Sequence, residues 1–151
     1  MLEILAITNT HDLWDKTIQF AENCSWRAGQ YLAEMMRKNQ FNDWERVFIV
    51  YDNNQIIGYC TFTEKDELLE KYDFSPFIGF IFVDENYRGR RISEVMITSV
   101  TDYAKVLGYN SVYIMSDEKG LYEKYGFKLL GHYRTIFNST EQLFIKDISE
   151  Q

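Results

Sequence analysis

Gly79-Phe80-Ile81-Phe82-Val83-Asp84-Glu85-Asn86-Tyr87-Arg88-Gly89-Arg90-Arg91-Ile92-Ser93 carries an apolar strand through one short turn into a long amphipathic helix. Ile92, Val95, Met96, Ser99, Val100, Tyr103, Ala104 and Leu107 recur at helical spacing and Gly108 follows as a stop, so the pattern predicts a helix over 92–107. A helix start leaves N–H groups without intrahelical partners and carries a partial positive charge, which makes it receptive to phosphate. Arg88, Arg90 and Arg91 add charge-assisted donors there, and Gly89 lets a ligand approach the backbone with no Cβ in the way. An anionic ligand is therefore expected; the plainer alternative is a solvated basic turn ahead of a core helix.

The arginine cluster stands against an acidic background. The 151 residues carry 16 Lys and Arg against 23 Asp and Glu, a formal charge of −7, so a broad cationic face for nucleic acid is not expected. With 46% hydrophobic and 17% aromatic residues the chain has ample material for one core, and one domain over 1–151 is expected. Cys24 and Cys60 are isolated, which reads as two small buried hydrophobes in a reducing, intracellular setting. The N-terminus lacks a basic leader and no apolar run approaches the roughly 20 residues of a membrane span, so a soluble cytoplasmic protein with no membrane partner is expected. His11 and His132 have no ligand-spaced partners, and no metal is expected.

Either side of the opening stretch, periodicity sets the element order. Leu2–Thr8 alternates as a first strand, Thr10 offers a cap for a helix presenting Leu13, Trp14, Thr17, Ile18 and Ala21, and Ser25 offers a cap for a second helix to about Lys38. In that second helix Trp26 and Tyr31 face either the core or a groove. Arg46–Tyr51 and Gln55–Thr63 flank the turn Asp52-Asn53-Asn54 as a hairpin, and the charged segment Glu64–Asp73 reads as an exposed connection. Pro76 precedes the strand Phe77–Val83, where it removes no needed ladder bond. After the long helix come a strand at Ser111–Met115, a short helix at Leu121–Tyr125 and strands at Phe127–Tyr133 and Glu141–Ile148. Strands interrupted by helices imply a mixed sheet with helices on its faces.

Two segments together resemble the GNAT superfamily of N-acetyltransferases: the strand-turn-helix from Val83 to Ser93, and Gly120-Leu121-Tyr122-Glu123-Lys124-Tyr125-Gly126-Phe127. The element order resembles that family from end to end. The resemblance implies an α/β fold with a mixed, mostly antiparallel central sheet of six to seven strands and helices on both faces. It also implies acetyl-CoA between the strand ending at Val83 and the strand starting near Ser111, with pyrophosphate on the loop from Gly89 to Ser93. The family pattern runs Arg or Gln, two variable residues, Gly, one variable residue, then Gly or Ala. Arg88 matches its start, whereas Arg91 and Ser93 replace the two small residues. Both are phosphate-compatible, so they are expected to add donors rather than to weaken binding.

By the same matching, the backbone of Ile81, Phe82 and Val83 would hold the pantetheine arm like an added strand, and Val83 N–H would polarise the thioester carbonyl. Around the pyrophosphate stand Arg88, Gly89, Arg90, Arg91, Ile92, Ser93 and Glu94, the last through its backbone N–H only. Tyr122 occupies the position of the family's general acid toward the departing thiolate; its other reading is an aromatic packing residue beside Tyr125 and Phe127. An ammonium acceptor must lose a proton, and Asp117 and Glu118, just past the strand at Ser111, are the candidate bases, with Glu85 the weaker third. The acceptor amine would enter over the two N-terminal helices and the strand Phe77–Val83. Two competing readings are a non-catalytic acyl-CoA sensor and a protein-interaction module whose exposed final strands pair in a homodimer.

Overall fold

In the computed structural model, which describes residues 1–149, Asn53 and Asn54 both take left-handed φ, 49° and 67°. Two such residues make the turn whose twist matches a two-residue hairpin. They join β2 (Arg46–Asp52) to β3 (Gln55–Thr63), with Asp52 opposite Gln55. β1 (Leu2–Ile7) runs antiparallel along β2 with Leu2 opposite Asp52 and Ile7 opposite Val47.

The chain divides into two compact units, and these strands belong to the first, built from Met1–Phe62 and Phe80–Ser99. The unit also holds α1 (Trp14–Asn23), α2 (Gly29–Arg37), the second half of β4 (Phe77–Val83) and the start of α3 (Ile92–Val106). Its strands lie in the order β1-β2-β3-β4. Trp14, Ile18 and Ala21 from α1 and Leu32, Ala33 and Met36 from α2 pack with Val47, Ile49, Tyr59 and Phe82, which is the apolar stripe at helical spacing laid on a sheet face. The two helices approach so closely that a Cβ on Gly29 would stand 2.2 Å from the carbonyl oxygen of Ala21.

The second unit comprises Thr63–Gly79 and the chain from Val100 onward. It contains the start of β4, β5 (Ser111–Ser116), α4 (Leu121–Lys124), β6 (Lys128–Arg134) and β7 (Thr140–Asp147), in the order β4-β5-β7-β6. β7 is antiparallel to both neighbours, with Ser111 opposite Asp147 and Lys128 opposite Ile145. β4 and β5 are parallel at Phe77 and Tyr113. Among the described residues, seven strands, with β4 and β5 parallel, and four helices make the mixed, mostly antiparallel α/β architecture that the sequence predicts. Among the described residues no helix is long and apolar enough to cross a membrane.

Several expectations need correcting. Neither Thr10 nor Ser25 caps a helix: the imidazole Nδ1 of His11 accepts from Leu13 N–H at 3.0 Å ahead of α1, and a turn over residues 26–29 leads into α2. The buried face of α3 is Ile92, Met96, Ile97, Val100, Thr101 and Ala104, whereas Val95 and Leu107 are 47% and 40% exposed. Gly108 ends that helix as expected, at φ 93°, with Tyr109 N–H on Ala104 O and Gly108 N–H on Lys105 O, the paired bonds of a Schellman cap. The segment Glu64–Asp73 is not simply exposed. Leu68 is buried with Phe77, Met115 and Leu143 and bridges Thr135, so a charged stretch is tied down by one apolar anchor.

Candidate active site

In the first unit, β4 turns over at Phe80, whose φ of 49° is left-handed for a non-glycine residue. Such a residue costs about 1–2 kcal/mol and persists only where its surroundings enforce it. β3 supplies part of that enforcement: Ile57 O accepts from Asp84 N–H at 2.7 Å, and a Cβ on Gly58 would lie 2.8 Å from Phe82 O. The carboxylate of Asp84 then accepts from Asn86 N–H at 2.9 Å and starts the single 3-10 turn Glu85–Tyr87.

Each arginine of the following loop has a definite position. Arg88 Nε donates to Val83 O at 2.9 Å, and its guanidinium lies 5.5 Å from the centre of the Phe82 ring. Arg90 lies 5.3 Å over Tyr87. Arg91 has φ 57°, its carbonyl accepts the first helical bond from Val95 N–H at 3.2 Å, and its Nε donates to Glu94 Oε1 at 2.5 Å. The side chain expected to reach for phosphate is thus held by a carboxylate one turn on. Gly89, at φ 82°, leaves open space where a Cβ would be. The N–H groups of Ile92, Ser93 and Glu94 precede the helical ladder that Val95 begins. Ile92 itself is a buried anchor, so only its backbone can serve a ligand.

Arg91 stands in a left-handed φ at the position where the resemblance expects glycine. A glycine adopts that conformation freely, whereas arginine adopts it at a cost that the Glu94 ion pair partly offsets. Trp26, expected to face either core or groove, stacks on Phe82 at 5.9 Å with planes 4° apart and on Tyr59 at 6.3 Å, while Tyr31 is exposed. Burial, then the hydrogen bond to Cys24 Sγ at 3.4 Å, raises the Tyr59 phenol far above its usual value.

In the second unit, Gly120 at φ 83° opens α4 and Gly126 at φ 93° closes it with Phe127 N–H on Tyr122 O and Gly126 N–H on Glu123 O. Lys146 Nζ donates to Tyr125 O at 2.9 Å over the same cap. Tyr122 is 5% exposed, with its ring 5.7 Å from that of Phe144 and 6.3 Å from that of Phe127. Asp117 is exposed just past β5, where Gln142 Nε2 donates to Ser116 O at 3.1 Å and Glu118 O at 2.9 Å and so fixes that loop.

Beside Asp117 lies a group the sequence reading missed. Burial first, then the nearby Glu141 carboxyl and the charges of Asp66, Glu141 and Asp117, push the Glu67 carboxyl up to about 8. Burial pushes Asp66 to about 7, against the lowering effect of a backbone hydrogen bond. The only sequence signal was acidity in a segment that read as an exposed connection.

The comparisons with known proteins agree with this geometry. Residues 11–127 match the acetyltransferase (GNAT) family. The chain belongs to that family. It is an acetyl-CoA-dependent N-acetyltransferase, the enzyme class and acetyl donor that the sequence predicts. Among solved structures, this GNAT chain is similar to an aminoglycoside 6'-acetyltransferase type Ii at TM-score 0.76 and 14% identity, with 99% of each chain covered. It resembles the aminoglycoside 6'-N-acetyltransferase from Enterococcus faecium at TM-score 0.74 and 13% identity, over 99% of this chain and 98% of that one. It also resembles an aminoglycoside 6'-N-acetyltransferase complexed with coenzyme A, at 0.72 and 12%, over 99% and 98%. At these identities the likeness establishes the fold. No curated protein matches the GNAT chain significantly.

Proposed function

We propose that the chain, as a single acetyltransferase domain over 1–151, transfers the acetyl group of acetyl-CoA to a primary amine of a small molecule or peptide by direct attack. The observation that carries this reading is the loop from Arg88 to Glu94, where an open glycine, a helix start and two guanidinium groups held over rings meet at one place. Those residues fit the phosphate end of acetyl-CoA, which when bound supplies the acetyl group as a thioester. The first turn of α3 offers N–H groups of Ile92, Ser93 and Glu94 to the pyrophosphate, with Ser93 Oγ and the guanidinium of Arg91 at its margin. The backbone of Ile81, Phe82 and Val83 pairs with the pantetheine arm as an added strand, and Val83 N–H orients the carbonyl to be attacked.

Tyr122 protonates the departing sulfur, a transfer from a phenol of ordinary pKa near 10 to a thiolate whose acid is near 8.5, which is feasible in contact where water is excluded. Asp117 offers its carboxylate to the acceptor ammonium, a cationic group that the chain's acidic balance favours, and the isolated cysteines suit a cytoplasmic setting. The neighbours whose names specify aminoglycosides make a polycationic acceptor a natural first choice for assay.

Calorimetry of acetyl-CoA against the protein and against an Arg91→Ala, Ser93→Ala double variant tests the reading. Binding by the parent that the variant weakens supports it and justifies an amine screen. No binding by the parent sinks it.

A further inference from the structure

β3 supplies part of what holds the left-handed Phe80, and the turn between α1 and α2 supplies another part. The β3 contacts reach the strand beyond the strained residue, at Phe82 O and Asp84 N–H. At Phe80 itself the indole of Trp26 stands edge-on, with ring centres 6.3 Å apart and planes at 70°. The same indole lies flat against Phe82, at 5.9 Å and 4°. One side chain from the turn therefore spans both aromatic residues that flank Ile81. Two such ring contacts are of the order needed to keep one left-handed residue in place.

Trp26 is in turn fixed from behind. Its carbonyl accepts from Gly29 N–H at 3.0 Å, and Cys24 Sγ lies 3.3 Å from Ala21 O and 3.5 Å from Trp26 O. Tyr59 stacks on the indole at 6.3 Å, and Phe20 meets Tyr59 edge-on at 5.9 Å and Phe82 at 6.1 Å. Yet Trp26 is 36% exposed, against 6% for Trp14 in the core of the same unit. Burial alone rewards Trp14 more than Trp26. What distinguishes Trp26 is a flat, rigid surface set against two chosen rings of β4.

Resting on the acetyl-transfer reading, we propose that Trp26 is a positioning residue for the strand that receives the donor: by seating Phe80 and Phe82 it fixes the backbone from Phe80 to Val83 in the conformation that meets the thioester end of acetyl-CoA. It acts through β4 and does not touch the reacting atoms. A left-handed residue breaks the regular course of a strand and re-aims the groups that follow it. Relaxation of Phe80 to an ordinary strand φ would swing the N–H and C=O groups of Ile81, Phe82 and Val83 away from an arriving extended chain. The phosphate end is held by other means, the Asp84-led 3-10 turn and the start of α3. Loss of the indole therefore separates the two ends of the donor: the nucleotide keeps its seat and the thioester arm loses its aim.

Two experiments on the full chain test this. The first compares acetyl-CoA with its nucleotide half alone, 3′-phosphoadenosine 5′-diphosphate, by calorimetry. Trp26→Ala should bind acetyl-CoA about tenfold more weakly and the nucleotide half within about threefold of the parent. Trp26→Phe, which keeps a flat ring, should recover most of the acetyl-CoA affinity, whereas Trp26→Leu, apolar but without a ring, should not. Should Trp26→Ala fail to fold, the Phe and Leu variants make the same comparison. Equal weakening of both ligands marks a merely structural role and overturns the proposal. The second experiment needs no ligand and follows the backbone carbon-13 shifts of Phe80 by NMR. They should move from left-handed toward extended values in Trp26→Ala and stay in Trp26→Phe; shifts that stay in both variants overturn the proposal whatever binds. A parent that binds neither ligand defeats the acetyl-transfer reading and this proposal with it. A parent that binds both, with Trp26→Ala binding as the parent does, defeats this proposal alone.

Discussion

Arg88 Nε donates to the carbonyl oxygen of Val83 at 2.9 Å, so the residue that begins the basic loop also ties the loop back to the strand that feeds it. The guanidinium closes the six residues from Val83 to Arg88 into a ring and shields one face of the Phe82 side chain.

Arg88→Ala removes one hydrogen bond from a charged donor and one cation–ring contact. A loss of about 1–2 kcal/mol in urea unfolding and an approximately tenfold weaker acetyl-CoA affinity by calorimetry are expected. Unchanged values for both would show that the loop keeps its shape without this tie.

Arg91→Gly should stabilise the protein. Relief of a left-handed non-glycine residue is worth about 1 kcal/mol, and the exposed pair with Glu94 returns only about 0.3 kcal/mol. A higher urea midpoint with unchanged slope is the expected result. A lower midpoint would mean that the ion pair outweighs the backbone term.

Gly29→Ala should be among the costliest small substitutions, because the added methyl meets Ala21 O at 2.2 Å, Tyr59 Oη at 2.7 Å and Cys24 Sγ at 2.8 Å. The first of these is backbone and cannot swing away, so a loss of about 2–3 kcal/mol is expected by chemical unfolding.

Tyr122→Phe keeps the ring among Phe127 and Phe144 and removes only the hydroxyl. If that hydroxyl protonates the leaving thiolate, kcat falls by about 10²-fold while acetyl-CoA affinity stays within about threefold. Equal losses of affinity and stability would instead mark it as a packing residue.

Stability should fall as pH rises from about 4 to about 8. The carboxyls of Asp66 and Glu67 are raised to about 7 and about 8, so between their ordinary values near 4 and these the folded state binds more protons than the unfolded one. In that window the slope of unfolding free energy with pH is negative. Thermal unfolding should give a midpoint a few degrees higher at pH 5 than at pH 8.5, and Asp66→Asn with Glu67→Gln should flatten the difference.

Local chemistry was legible wherever one residue type has one structural use. Asn53-Asn54 between two β-rich runs gave the hairpin, and Gly108 gave a helix end, since left-handed positions favour those side chains. Phe80 and Arg91 hold the same conformation without any such marker, because the strain is enforced by β3 and by the α3 start rather than written in the residue. The first two helices misled for a related reason: a threonine and a serine stood at plausible cap positions, but an imidazole and an extra turn took over those roles. Glu67 escaped notice because its partner Glu141 is far away in the chain, and charge alone reads as solvent exposure.

Neither compact unit is a continuous piece of polypeptide. The chain passes from one to the other at Phe62/Thr63, Gly79/Phe80 and Ser99/Val100, which fall at the end of β3, within β4 and within α3. A molecular biologist seeking a shorter version therefore has no linker to cut. Any terminus placed at a crossing would amputate a ladder or a helical turn, so mapping the two units by fragments is closed off. Point substitution is the way to separate them.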